Sequence, residues 1–125
     1  MKDMISLTEA EWKIIQVLWD KNPLTMMEVT HALEAETGWT KHTVITLLKR
    51  MQSKGTVHIG ERDGIKTYAP AVKKEQVARE QTRTLLSRLF SGRAAMLVSN
   101  LVEQGDVTED EIREMMEILK KASKE

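Results

Sequence analysis

The sequence predicts a mainly helical chain with one small β-hairpin, divided into a compact N-terminal unit and an all-helical C-terminal one. Three observations carry that prediction. Residues 40–55 place Val44, Leu47, Leu48 and Met51 at i, i+3, i+4 and i+7, one stripe of an α-helix. Directly after it, two short alternating segments flank Asp63-Gly64, a strong two-residue hairpin signal. Beyond Pro70 the apolar residues fall only at helical spacing.

In chain order, Thr8 with Glu11 three residues on fits a capping box. It opens a first helix to about Asp20 whose wide apolar face carries Trp12, Ile14, Ile15, Leu18 and Trp19. Lys21-Asn22-Pro23 breaks that helix. Thr25 with Glu28 repeats the capping pattern and opens a second helix, through about Glu36, that buries Met26, Val29 and Leu33. Thr37-Gly38-Trp39 turns the chain into the third helix, which Thr40 caps and Gly55 ends. In the hairpin, Val57 and Ile59 alternate with His58 and Gly60; Ile65, Thr67 and Ala69 alternate with Lys66 and Tyr68. A helix pair joined by a glycine-containing turn, then a hairpin, is the layout of a winged helix-turn-helix, expected over residues 1–71. The three tryptophans, Trp12, Trp19 and Trp39, read as the largest pieces of its core rather than as stacking platforms.

A fourth helix, about residues 73–90, sets Val77, Ala78, Leu85, Leu86 and Leu89 on one side before Ser91-Gly92 interrupts it. The fifth, about residues 93–104, carries Ala94, Leu97, Val98 and Leu101 and stops at Gly105. A third capping box, Thr108 with Glu111, starts the sixth, which carries Ile112, Met115, Met116 and Leu119. Its acidic start and its basic end at Lys120, Lys121 and Lys124 both favour the helix dipole. Residues 72–125 expose too much apolar stripe to stand alone. The simplest partner is a second copy, which makes this segment a dimerisation domain. Its contact residues are then Leu85, Leu86, Leu89, Leu97, Val98, Leu101, Ile112, Met115, Met116 and Leu119. Packing of the same helices back onto the N-terminal unit in a monomer is the alternative.

Composition narrows the class. With 125 residues, 41% hydrophobic and 30% charged, the chain has a soluble globular make-up. No apolar run reaches the length of a membrane span. The start, MKDMISLTEAEW, lacks the basic and apolar blocks of a signal peptide, so the expected location is the cytoplasm. Zero cysteines remove disulfides and thiolate metal sites. His31 with Glu34, His42 and His58 form no recognised metal spacing, so no metal and no cofactor is expected. No phosphate loop or nucleophile constellation points to catalysis, and the carboxylates sit in caps and on polar faces. The methionines read mostly as gap fillers in the core.

Formal net charge is zero, but the charges are segregated. Residues 38–54 hold four cations and no acid; residues 73–93 hold six cations against two acids; residues 103–117 hold seven acids against Arg113. Opposite the third helix's apolar stripe lie His42, Thr46, Lys49 and Ser53, flanked by Thr43, Ile45 and Arg50, with Lys41 in the first turn. No Asp or Glu occurs between Thr37 and Gly60. Such a face suits a polyanion, although on these residues alone a solvated cationic face is equally compatible. The hairpin that follows favours a DNA-recognition helix. A two-fold dimer would set two such helices into successive major grooves about 34–36 Å apart. A winged-helix module that binds protein through this helix is the alternative; the cation-only helix and a basic wing tip argue against it.

The runs Gly38-Trp39-Thr40, Thr43-Val44, Thr46-Leu47-Leu48, Arg50-Met51 and Lys54-Gly55 resemble the recognition helix of the penicillinase and methicillin-resistance repressors, the BlaI/MecI type. The likeness extends from Leu7-Thr8-Glu9-Ala10-Glu11-Trp12 and Leu18-Trp19 to Tyr68, then to Ser99-Asn100-Leu101-Val102-Glu103 and Thr108-Glu109-Asp110-Glu111-Ile112. It covers nearly the whole chain. The resemblance implies a bacterial transcriptional repressor, dimeric on double-stranded operator DNA with a palindrome of TACA/TGTA elements, controlling β-lactam resistance-type genes. A repressor of the same family that answers a different signal is a further alternative. By position, Thr43, Thr46 and Arg50 match contacts to the operator, and the hairpin from Arg62 to Lys66 matches the wing. Threonine offers a hydroxyl and a methyl that suit a thymine, while Lys and Arg neutralise phosphates. Ile45 departs from the pattern, standing where some relatives carry a basic residue; it suits a thymine methyl and cannot read guanine.

The resemblance also implies inactivation by proteolysis, downstream of a membrane sensor-linked metallopeptidase that responds to β-lactams. The matching bond is Asn100-Leu101, where relatives often have Asn-Phe. Leu101 falls near the middle of the fifth helix's apolar stripe, so cutting there needs local unfolding and would sever part of the dimer interface. On the residues alone, Asn100 also reads as an ordinary surface position. Copper-responsive repressors of this fold carry a cysteine motif near the C-terminus that is absent here.

Overall fold

A computed structural model describes residues 6–124; residues 1–5, on which part of the signal-peptide reading rests, lie outside them, as does residue 125. The chain forms two compact units, Met1–Glu80 and Gln81–Glu125. The first holds α1 (Glu9–Asp20), β1 (Leu24–Thr25), α2 (Met26–Thr37), α3 (Lys41–Lys54), β2 (Val57–Arg62), β3 (Ile65–Pro70) and the start of α4 (Lys74–Leu89). The second holds the rest of α4, α5 (Ala94–Glu103) and α6 (Glu109–Ser123). The division between the two units falls within the sequence of α4, a few residues beyond the 71–72 boundary expected from the sequence, and the buried Val77 belongs to the first unit.

Local chemistry sets the element boundaries. Thr8, Thr25 and Thr108 each accept from the backbone N–H three residues on, while Glu11, Glu28 and Glu111 reach back to the cap, so all three capping boxes form. Thr40 caps α3, and Gly55 ends it at φ 81°, a left-handed conformation that glycine adopts without a Cβ clash. At the hairpin tip Asp63 (φ 52°) and Gly64 (φ 79°) both take positive φ, the two-residue turn that matches strand twist.

The sheet has three antiparallel strands in the order β1-β3-β2, with Tyr68 flanked by Leu24 on one side and Ile59 on the other. The two-stranded hairpin expected from sequence therefore gains a third strand. Two residues are too few to show alternation, which is why Leu24–Thr25 left no strand signal.

The core joins the inner stripes of the three helices to the sheet: Ile14, Ile15 and Leu18 from α1, Val29 and Leu33 from α2, and Val44, Leu47, Leu48 and Met51 from α3. Leu24, Val57 and Tyr68 close it. The tryptophans line its margin instead of forming its centre. Trp12, Trp19 and Trp39 are half-buried, with Trp12 edge-on to Trp19 at 5.8 Å between ring centroids. An indole N–H needs an acceptor, and that of Trp19 donates to the Val72 carbonyl at 3.0 Å.

In the second unit neither α5 nor α6 fully buries a described residue. No described helix is long and apolar enough to cross a membrane.

Candidate nucleic-acid interface

The buried stripe of α3 fixes what its other side displays. With Val44, Leu47, Leu48 and Met51 inward, Lys41, His42, Thr43, Thr46, Lys49 and Arg50 are all exposed. The hydroxyl of Thr46 donates to the His42 carbonyl at 2.9 Å, so its proton is used within the helix while its lone pairs and methyl remain for a partner. Ile45 differs from the rest. It is half-buried and packs against the core, so its side chain serves the fold as well as the flank of this face.

Two of the four cations counted over residues 38–54 converge on one acid. Glu11 of α1 has no exposed surface. Its Oε1 accepts from the Lys54 ammonium at 2.7 Å and from the Thr8 N–H at 3.0 Å, while Oε2 lies 4.0 Å from Arg50 Nη1. Lys54 also donates to the Ser6 carbonyl at 3.2 Å. Burial alone would push the Glu11 carboxyl up, but Lys54, the Thr8 amide and Arg50 together hold it below the ordinary glutamate value. From sequence, Glu11 reads only as half of a capping box. The signal of its second role is spacing: Glu11, Ile14, Ile15 and Leu18 stand at i, i+3, i+4 and i+7, which places a carboxylate on the buried stripe.

The hairpin tip is exposed, with Ile65 58% accessible. Arg62 donates to Glu28 Oε1 at 2.7 Å, the same oxygen that completes the cap of α2. The Thr25 N–H and then Arg62 hold the Glu28 carboxyl below its usual range. Lys66 is paired in register with Glu61 across the strands. With Glu61 and Asp63 beside Arg62 and Lys66, the tip is charge-balanced, which corrects the basic wing tip expected from the sequence.

Of the second unit's expected contact residues, Leu89, Met116 and Leu119 are each about two-thirds exposed, and Leu85, Val98 and Ile112 about two-fifths. Leu86, Leu97, Leu101 and Met115 are half-buried. Val98, Ile112, Met115, Met116 and Leu119 come together with Val102 and Ile118 in an apolar groove of about 280 Å³. Val102 and Ile118 are additions to the set expected from sequence. Helical spacing carries the signal for both, since Val102 follows Val98 at i, i+4 and Ile118 follows Met115 at i, i+3. Asn100 is exposed and lies within α5, where its carbonyl accepts from the Gln104 N–H at 3.1 Å.

Residues 7–121 match the family model described as the penicillinase repressor. The chain belongs to the penicillinase repressor family. It is 25% identical over 115 residues to the methicillin resistance regulatory protein MecI of Staphylococcus aureus strain N315, spanning 92% of this chain and 94% of the relative. It is 24% identical over 119 residues to the penicillinase repressor of Bacillus licheniformis, spanning 95% and 93%. Among solved structures it is similar to the Bacillus licheniformis BlaI monomeric form in complex with the blaP half-operator, with a TM-score of 0.52 and 24% identity over 60% of this chain and 92% of that one. At that identity the last likeness is one of fold. The mainly helical architecture with a small antiparallel sheet is thus that of a penicillinase repressor family member.

Proposed function

We propose that this chain is a transcriptional repressor that binds a palindromic operator in double-stranded DNA as a homodimer, with α3 of each copy in the major groove. The observation that carries the reading is the outer face of α3: Lys41, His42, Thr43, Thr46, Lys49 and Arg50 exposed together, with no acid in the helix. Thr43, Thr46 and Arg50 are assigned to base edges, with Ile45 at their flank; Lys41, His42 and Lys49 are assigned to phosphates, with Arg62 and Lys66 on the wing. The names of the relatives support a repressor of antibiotic-resistance genes.

A second copy is the occupant assigned to the apolar groove of α5 and α6. Its wall is wholly apolar, and the same unit carries both an acidic run over residues 103–117 and the cations Arg83 and Arg88 of α4, an arrangement that lets two copies complement each other. Inactivation by a membrane sensor-linked metallopeptidase is assigned to Asn100-Leu101. Because that bond lies inside α5, cleavage requires the helix to open first.

Binding to duplex DNA is tested by fluorescence anisotropy across a salt series. If Lys41, Lys49 and Lys66 each meet one phosphate in both copies, log Kd should change with log salt at a slope of about 5. Arg50→Ala should weaken binding by roughly tenfold or more while leaving the dimer intact. Binding indifferent to salt would favour the protein-interaction module instead.

A further inference from the structure

A carboxylate buried beneath a cationic surface calls for an explanation, because removing an ion from water is costly unless its lone pairs are satisfied. Glu11 is satisfied on one oxygen only. Oε1 holds the Lys54 ammonium and the Thr8 N–H, whereas Oε2 is buried and accepts no hydrogen bond. That second oxygen lies 4.0 Å from Nη1 of Arg50, whose side chain is 51% exposed. Lys54 is committed inward, to Glu11 and the Ser6 carbonyl. Arg50 is not. A guanidinium is a rigid planar fork with five donors, so turning one nitrogen toward a fixed anion sets the plane in which the others point outward.

We propose that Glu11 is a positioning residue for DNA recognition: its buried Oε2 orients the Arg50 guanidinium, so that discrimination by α3 depends on an acid that does not touch DNA. The proposal rests on the DNA-binding reading above.

The test uses the full chain and two duplexes of equal length, one selected by the wild-type protein from a random-sequence pool and one a scramble of it. Glu11→Gln keeps a side chain that completes the capping box and removes the charge. The selected-to-scrambled affinity ratio should fall roughly tenfold, with affinity for the scramble held within about twofold. In an Arg50→Ala background, Glu11→Gln should change the ratio no further. An unchanged ratio, or an equal fall in both backgrounds, overturns the proposal. Lys54→Met separates positioning from anchoring: it should lower thermal stability and keep the ratio, and a fall matching that of Glu11→Gln overturns the proposal. Should Glu11→Gln prove unfolded by circular dichroism, Glu11→Asp poses the same question by keeping the charge and withdrawing it from Arg50, and an unchanged ratio is again fatal. Failure of the wild-type chain to select any duplex refutes the DNA-binding reading itself, a result distinct from the others.

Discussion

Replacing Lys54 by methionine tests how α3 is fastened to α1. The substitution keeps an unbranched side chain and removes the ammonium that donates to buried Glu11 at 2.7 Å and to the Ser6 carbonyl at 3.2 Å. Stranding a fully buried charge costs about 3–5 kcal/mol. Here that is an upper bound, because the Lys54 side chain is 31% exposed, the Thr8 N–H keeps its bond, and Arg50 stays 4.0 Å away. A loss of about 2–3 kcal/mol remains. For a unit of this size it lowers Tm by about 10–20 °C. The acid dependence has a definite sign. Glu11 titrates below its ordinary value of 4.5 in the folded chain. As pH falls, the unfolded chain therefore takes up the proton first, and the stabilisation present above that value drains away as pH drops through the folded one. Thermal melts of both proteins by circular dichroism should show a wide gap at neutral pH that narrows in acid. A gap of under about 2 °C at neutral pH, or one that stays constant into acid, refutes the reasoning.

Two further outcomes follow from burial. Leu48 has no exposed surface, so Leu48→Ala should cost about 3 kcal/mol or more, read from urea unfolding, and a loss under about 1 kcal/mol would place it outside the core. Met116 is 63% exposed on the wall of the apolar groove, so if two copies pair there as proposed, Met116→Glu should shift sedimentation from dimer to monomer while leaving the melt of the first unit in place; a surviving dimer removes the groove from the interface.

Much of the fold was legible because local rules agreed with one another. Helices α1, α2 and α3 each open at a threonine with N-cap geometry, and the i, i+3, i+4, i+7 stripe of α3 is the stripe that the core buries. Asp63-Gly64 placed the hairpin tip because few residue pairs accept positive φ twice in succession. What stayed hidden was short or long-range. β1 is two residues long, and its pairing with β3 joins positions far apart in sequence. The charge balance at the wing tip is written in the sequence, since Glu61 and Asp63 alternate with Arg62 and Lys66; the two cations suggest a basic tip only when taken without those neighbours. Glu11 was half-legible: its capping role follows from Thr8, but its bond to Lys54 joins two helices far apart in sequence, a pairing that no local rule encodes.

A surface meant for a polyanion faces two opposed demands. Its cations must point outward, yet the helix that bears them must be held to the rest of the fold. This chain has equal numbers of acidic and basic residues, so bulk attraction contributes little, and affinity for DNA has to come from where individual cations stand. An exposed acid beside α3 would anchor it and repel the phosphates. A buried one anchors it from behind: Glu11 binds Lys54 in the last turn of α3 directly and leaves Lys41, Lys49 and half of Arg50 to solvent. Burial raises the energy of that carboxylate, and the same burial makes its pull on nearby cations stronger and less screened by salt. Placement of Arg50 is therefore the variable on which recognition should depend most, ahead of the number of charges that α3 carries.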